Sequence, residues 1–351
     1  MEHERRSIYD LDFDDLLTEM TGLGEPAYRA EQIWSGLYKH YWRVPAEFTN
    51  LPTGLRGTIS NRFDFTSLEP LKWVESKDHD THKTLFKLPE NQSIEAVLMR
   101  YRTRRTLCIS SQAGCAMGCV FCATGQMGFK RNLTSGEIVQ QVIHYARQLE
   151  PSQERVTNVV IMGMGEPFHN YEATMAAIDR LNDPKGFNFG ARRFTISTVG
   201  LVPAIRRFTL ENRQVNLAIS LHAADNQLRS SLLPVNKKYP LEALMHACLN
   251  YVDRTNRRIS FEWALIQGVN DGADQAAKLA TMLQPFLAKG SPMCHVNVIP
   301  LNPTRDYSGK ATSRTQAITF QSVLERRGIP CTVRIRRGID IQAGCGQLAT
   351  E

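Results

Sequence analysis

The sequence predicts an α/β fold, a parallel barrel or part of one, on two observations. From residue 105 onward seven continuous apolar runs appear: TLCIS, NVVIMG, RFTIS, VNLAISLH, ISFEWALI, HVNVIPL and CTVRI. Most are separated by twenty or more residues, and several of those intervals carry helical periodicity. Apolar strands that alternate with helices pair in parallel, with the helices covering the sheet. Six or seven such units suit a barrel whose site lies at the C-terminal strand ends. The competing fold is a dinucleotide-binding sheet. Its only Gly-rich strand exit, Gly163-Met164-Gly165-Glu166-Pro167, lacks a third glycine and sets a proline where the helix should begin.

Taken in order, residues 12–66 read as short helices over FDDLLTEM, AYRAEQIWSGLYKHY and PTGLRGTISNRF. In the second, Ile33, Trp34, Leu37, Tyr38 and Tyr41 recur at helical spacing, most simply a core face. LKWVE, TLFKL and SIEAVLMRY then read as strands, with Lys77-Asp78-His79-Asp80 as a turn. In the barrel region, LTSGEIVQQVIHYARQL is the clearest helix. Thr134 and Glu137 fit a capping box there, and Ile138, Val142, Tyr145 and Leu149 follow on one face. The expected division is 1–68 as a helical accessory domain, 69–100 as a β extension, 101–340 as the core barrel and 341–351 as a C-terminal segment.

At 351 residues the chain can bury a sizeable core. Its net charge of +7 suits a polyanionic partner, nucleic acid before acidic lipid, without requiring one. No stretch approaches the roughly 20 apolar residues that span a bilayer. The first twenty residues carry seven acids against two arginines, unlike a signal peptide. A cytoplasmic protein is expected. In a reducing compartment its eight cysteines are expected to be metal ligands or catalysts rather than disulfides.

Three cysteines, Cys115, Cys119 and Cys122, stand in a C-x₃-C-x₂-C spacing. A zinc site normally takes four ligands. Three thiolates on one loop suit a cubane iron–sulfur cluster with one iron left open. Gly114, Gly118 and Gly125 let the backbone wrap an inorganic core. A zinc site completed by a distant ligand is the alternative.

The spacing is that of the radical S-adenosylmethionine (SAM) superfamily, which this segment resembles. Other stretches narrow the likeness: Arg105 to Cys115, Gly163 to Pro167, Ser197-Thr-Val-Gly200, Ser220-Leu221-His222, Ile299-Pro-Leu-Asn302-Pro303 and Ala343-Gly-Cys345-Gly-Gln-Leu348. Together, from about residue 25 to the C-terminus, they resemble the RlmN/Cfr group of adenosine methyltransferases, its RlmN branch in particular. The resemblance implies a partial (βα)6 TIM-like barrel, one 4Fe-4S cluster held by Cys115, Cys119 and Cys122, and SAM on the open iron. It implies a substrate adenosine in 23S rRNA, methylated at C2, and one in tRNA. It also implies an electron donor such as flavodoxin or ferredoxin, and a monomer.

An adenine ring carbon is a poor nucleophile, whereas a thiolate accepts a methyl group readily. By resemblance, Cys345 is methylated by one SAM, and a radical from a second SAM removes a hydrogen from that S-methyl group. The carbon radical adds to adenine, and Cys108 forms a transient disulfide with Cys345 as the base leaves. Glu95 matches the family's proton acceptor. From the residues alone, Cys108 reads as a core cysteine, Glu95 as an exposed strand carboxylate, and Cys345 as a thiol on a flexible glycine-flanked segment. Cys248, Cys294 and Cys331 read as packing residues.

Gly165, Glu166, Ser197, Ser220, Leu221, His222 and Asn302 lie at or after strand ends and are expected to contact SAM. His222 could otherwise be a base or a metal ligand. Among the paired basic residues, Lys130, Arg131 and Arg336 lie near the cluster loop and are expected to hold RNA phosphates, with the target base unstacked or flipped. Gly344 departs from the family pattern, where alanine is expected. Two other readings stay open: a C8 methyltransferase of the Cfr branch, associated with antibiotic resistance, and a non-catalytic iron–sulfur or zinc protein that binds RNA.

Overall fold

The structure is a computed structural model and describes residues 5–65, 68–288 and 290–349. Three helices open the chain: α1 (Phe13–Gly22), α2 (Tyr28–Tyr38) and α3 (Thr53–Arg62). Asp12 caps α1 by accepting from Asp15 N. Ile33, Trp34, Leu37 and Tyr38 are buried, as the helical spacing predicts, while Tyr41 is only half-buried.

Ten strands form a single sheet: β1 (Glu69–Glu75), β2 (Thr81–Lys87), β3 (Ser93–Arg100), β4 (Arg105–Ile109), β5 (Asn158–Ile161), β6 (Phe194–Thr198), β7 (Asn216–Ser220), β8 (Ile259–Leu265), β9 (Cys294–Pro300) and β10 (Cys331–Val333). Their spatial order follows the sequence from β1 to β10. The pairs from β1 to β4 are antiparallel. From β4 to β10 every pair is parallel. All ten sequence-predicted strands are therefore present. The 69–100 hairpins continue the barrel sheet rather than standing apart from it.

The helices α4 (Ser135–Leu149), α5 (Tyr171–Asn182), α6 (Val202–Glu211), α7 (Leu241–Thr255), α8 (Ala273–Leu283) and α9 (Arg314–Glu325) connect successive parallel strands. This makes six βα units plus a seventh strand. Thr134 and Glu137 form the capping box of α4.

Inside these apolar runs lies a second, period-two pattern. In β8, Ile259, Phe261, Trp263 and Leu265 are wholly buried in the apolar core. The alternate residues, including Glu262, occupy the opposite face of the strand. Register aligns Ser220 with Glu262 and Glu262 with Asn297, so that face carries a polar row across three strands.

Among the described residues no hydrogen-bonded ladder joins β10 to β1. The chain beyond β10 instead crosses to the far edge. Arg337 Nη1 donates to Asp80 Oδ2 at 2.7 Å, Lys77 N to Asp340 Oδ2 at 2.9 Å, and Lys83 Nζ to the Gln342 carbonyl at 3.3 Å.

The N-terminal helices share one contiguous apolar core with the barrel. Polar contacts reinforce the junction. Gly136 N, in the first turn of α4, donates to Asp10 Oδ1 at 2.7 Å, and Arg147 Nη2 donates to the Tyr41 carbonyl at 2.7 Å. Among the described residues no helix is long and apolar enough to cross a membrane.

Candidate active site

The cluster loop follows β4 at the C-terminal mouth of the barrel. It opens with a short antiparallel pair, Gln112–Gly114 against Phe129–Asn132, which folds the loop back on itself. Gly114 has φ +68°, and a Cβ there would lie 1.9 Å from the Gly128 carbonyl oxygen. Only glycine permits this crossing. Cys115, Cys119 and Cys122 all border one cavity. Burial pushes the Cys115 thiol up to about 12, and the Cys119 and Cys122 thiols are raised for the same reason.

Among the described residues no three His, Cys, Asp or Glu side chains converge as ligands of a single ion, and all eight cysteines are free. Three unpaired thiols spread along one cavity fit a cluster, whose thiolates bind different irons. The same cavity holds two buried oxygens without a hydrogen-bond partner, Asn302 Oδ1 and Glu262 Oε2. Buried acceptors of this kind suit a polar ligand such as SAM.

The other residues expected at the site fall into three groups. Cys108, Gly165, Glu166, Ser197, Ser220, His222, Asn302 and Cys345 all line the cavity. Ser197 and Ser220 hydroxyls lie 3.3 Å apart. Glu166 is buried, and its two oxygens accept from Phe168 N at 3.0 Å and Val199 N at 2.9 Å. Burial raises its carboxyl to about 7. His222 holds φ +60°, a strained value for a non-glycine residue. Its Nδ1 accepts from Ala264 N at 2.9 Å, so the proton of the neutral ring sits on Nε2. Burial, aided by Arg229, depresses its pKa to about 3, which keeps it a neutral donor.

Leu221 stands apart from its neighbours. Its side chain is wholly buried, its N–H donates to the Glu262 carbonyl at 3.0 Å and its carbonyl accepts from Arg229 Nε at 3.1 Å. Ser220 and His222, on either side of it, line the cavity, and Leu221 does not.

Glu95 is not an exposed strand carboxylate. It is 2% exposed, with Oε1 2.7 Å from Lys83 Nζ and Oε2 accepting from Ala349 N at 3.0 Å. Burial raises its carboxyl, with Lys83 opposing. The Arg131 guanidinium binds Glu137 through both Nη atoms, at 2.8 and 2.7 Å, and so is already engaged in an ion pair. Lys130 and Arg336 remain exposed. Cys248, Cys294 and Cys331 are buried in the core, as packing residues should be.

The C-terminal segment lies over the cluster loop. Ala123 N donates to the Gly346 carbonyl at 2.8 Å, Thr124 Oγ1 to Leu348 O at 2.7 Å, and Asn302 Nδ2 to Cys345 O at 3.0 Å. It is tied down at several points rather than free. Cys345 keeps an exposed side chain because it faces the open cavity. The surrounding protein still desolvates the thiol, raising it to about 11, with the Glu262 carboxylate the next cause. Cys108 is raised to about 12 by burial and then by Cys345.

Glu262 went unremarked in the sequence. Its signal was a carboxylate in the middle of an apolar strand, where burying a charge is costly. Arg334, which also lines the cavity, had no such signal.

Six βα units on one parallel sheet, with a three-cysteine loop after its first parallel strand, match the radical SAM class. The profile of the Radical SAM superfamily matches residues 109–280. The crystal structure of a radical SAM methyltransferase from Sphaerobacter thermophilus superposes with a TM-score of 0.95 at 47% identity, covering 99% of this chain and 100% of that one. The dual-specificity RNA methyltransferase RlmN 1 of Myxococcus xanthus is 47% identical, over 97% of this chain and 94% of the relative. A protein named "Probable dual-specificity RNA methyltransferase RlmN" from Chloroflexus aurantiacus is also 47% identical, over 99% and 93%. The chain belongs to the RlmN family of radical SAM RNA methyltransferases.

Proposed function

We propose that the protein methylates C2 of an adenosine in 23S rRNA, and of an adenosine beside the tRNA anticodon, by way of S-methyl-Cys345. The observation that carries this reading is one cavity shared by the Cys345 thiol, the Cys108 thiol and the three-cysteine loop. Cys115, Cys119 and Cys122 would hold the 4Fe-4S cluster, with SAM bound beside it. Together these groups supply a methyl donor and one-electron radical chemistry.

The residues of the chain do the rest. Cys345 Sγ carries the methyl group into the cavity on a segment fixed by Asn302. Cys108, which lines the same cavity, attacks the Cys345 sulfur; the disulfide forms as the sulfur–carbon bond to the base breaks, its electron pair leaving on the product carbon. Glu95 accepts the proton lost from the adenine carbon, and Lys83 holds the resulting charge balance. Gly165, Glu166, Ser197, Ser220, His222 and Asn302 line the SAM pocket, with His222 donating from Nε2.

Residues 1–68 serve as an RNA-binding accessory domain, 69–100 as its β extension to the barrel, 101–340 as the catalytic core and 341–351 as the segment carrying the methyl. The enzyme works in the cytoplasm as a monomer and takes electrons from a flavodoxin or ferredoxin. Lys130 and Arg336 face RNA phosphates. The test is anaerobic incubation of cluster-reconstituted enzyme with SAM, reductant and each RNA, followed by mass spectrometry of the digested nucleosides. 2-Methyladenosine from both RNAs is expected. Methylation at C8, or none, would overturn the reading.

A further inference from the structure

Methyl transfer to Cys345 needs a thiolate, and the site works against one. The Cys345 thiol shares its cavity with the Glu262 carboxylate, and a like charge close by disfavours the thiolate. The proton must pass to an acceptor within the cavity.

Two buried carboxylates, Glu166 and Glu262, line the cavity, and a third, Glu95, is buried outside that lining. Glu95 has one oxygen on Lys83 and the other on Ala349 N. Glu166 has one oxygen on Phe168 N and the other on Val199 N. Glu262 differs. Oε1 accepts from Asn297 Nδ2 at 2.8 Å, while Oε2 is buried with no hydrogen-bond partner. Its residue is 5% exposed and lines the same cavity as Cys345. A buried carboxylate oxygen left without a partner is costly, so it calls for an explanation.

We propose that Glu262 is a further catalytic residue, the base that takes the Cys345 thiol proton as the methyl group is transferred. The inference rests on the methyl-carrier reading of Cys345. SAM is here a substrate. Cys345 Sγ forms a bond to the methyl carbon while the sulfonium C–S bond breaks, releasing S-adenosylhomocysteine. The thiol proton goes to Glu262 Oε2, so a cation and a carboxylate become two neutral species.

The surroundings of Glu262 suit a base that must cycle. Burial raises its carboxyl, while Arg334 and the Asn297 amide oppose that rise. A base performs best when its pKa approaches the working pH. Asn297 holds the carboxylate by one oxygen and leaves the other unpaired. The polar row Ser220, Glu262, Asn297 across adjacent strands fixes its position on rigid elements.

The experiment uses holoenzyme, reconstituted with its cluster and unmethylated at Cys345, in a single turnover with SAM. The methyl group on the Cys345 peptide is followed by mass spectrometry. Glu262→Gln keeps the shape and the Asn297 contact, and is expected to slow S-methylation by about 100-fold or more, the usual worth of a positioned base. Glu262→Asp should recover part of the rate. Affinity for SAM and cluster absorbance should match wild type.

A second readout, iodoacetamide alkylation of Cys345 at about pH 9 without SAM, should be equal or faster in Glu262→Gln. Removing a carboxylate relieves its repulsion of the thiolate. A merely structural role would slow both reactions. A merely electrostatic one would speed both. Equal S-methylation in Glu262→Gln overturns the proposal, as does loss of SAM binding that accounts for the slower rate. If wild type itself never carries a methyl on Cys345, the carrier reading falls first, and this inference falls with it.

Discussion

Asn302 Nδ2 donates to the backbone carbonyl of Cys345 at 3.0 Å, so the end of a barrel strand grips the residue that bears the carrier thiol. Gly344 packs directly against this contact. A Cβ at that position would lie 2.6 Å from Asn302 Nδ2 and 2.6 Å from Gln347 Oε1. The departure from the family's alanine therefore has a steric counterpart here, where the glycine lets the segment close on Asn302.

Gly344→Ala should accordingly push the segment off Asn302 and lower turnover by about tenfold or more, since small displacements at a reacting centre are costly. Thermal stability should fall by much less, because the segment sits at the chain end. Steady-state RNA methylation and a melting curve on the same preparation check this.

Lys83 and Glu95 form a buried pair, with side chains 10% and 3% exposed. Removing one partner strands the other. Lys83→Met should destabilise the fold by about 3–5 kcal/mol, the usual cost of breaking such a pair. The double variant Lys83→Met/Glu95→Leu should recover much of that loss. Denaturant unfolding of the three proteins measures it.

Gly114→Ala should abolish cluster assembly and leave the barrel folded. Its Cβ cannot coexist with the Gly128 carbonyl, and φ +68° adds strain. Iron content after reconstitution should fall to a small fraction of wild type, with the far-ultraviolet circular dichroism spectrum unchanged.

His144 predicts an acid limb in the stability profile. Burial, then Arg147 and Arg43, depress its pKa to about 4 from the ordinary 6.5. Between those values the unfolded chain binds a proton that the folded chain does not, so stability falls as pH falls. The loss begins near pH 6.5 and is complete near 4. His144→Gln should lose less over this window, read as the change in melting temperature from pH 7 to pH 4.5.

The frame of the molecule was legible because its signals are local. Runs such as NVVIMG and HVNVIPL declare buried strands, and C-x₃-C-x₂-C declares its loop by spacing alone. What stayed hidden depends on contacts between distant segments. Arg131 read as free until the fold set it against Glu137, and Glu95 as exposed until the C-terminal segment covered it. Leu221 sits between two cavity residues, yet its own side chain is buried away from the cavity lining. Glu262 was masked by Phe261 and Trp263, whose apolar character made the strand read as uniform.

The central claim is that Cys345 carries the methyl group to RNA. Its most direct test compares wild type with Cys345→Ala, both reconstituted anaerobically and incubated with SAM bearing a labelled methyl, reductant and rRNA. The account predicts labelled methyl on the Cys345 peptide and labelled methyladenosine from wild type, and neither from the variant. Labelled methyladenosine from Cys345→Ala at the wild-type rate would contradict it.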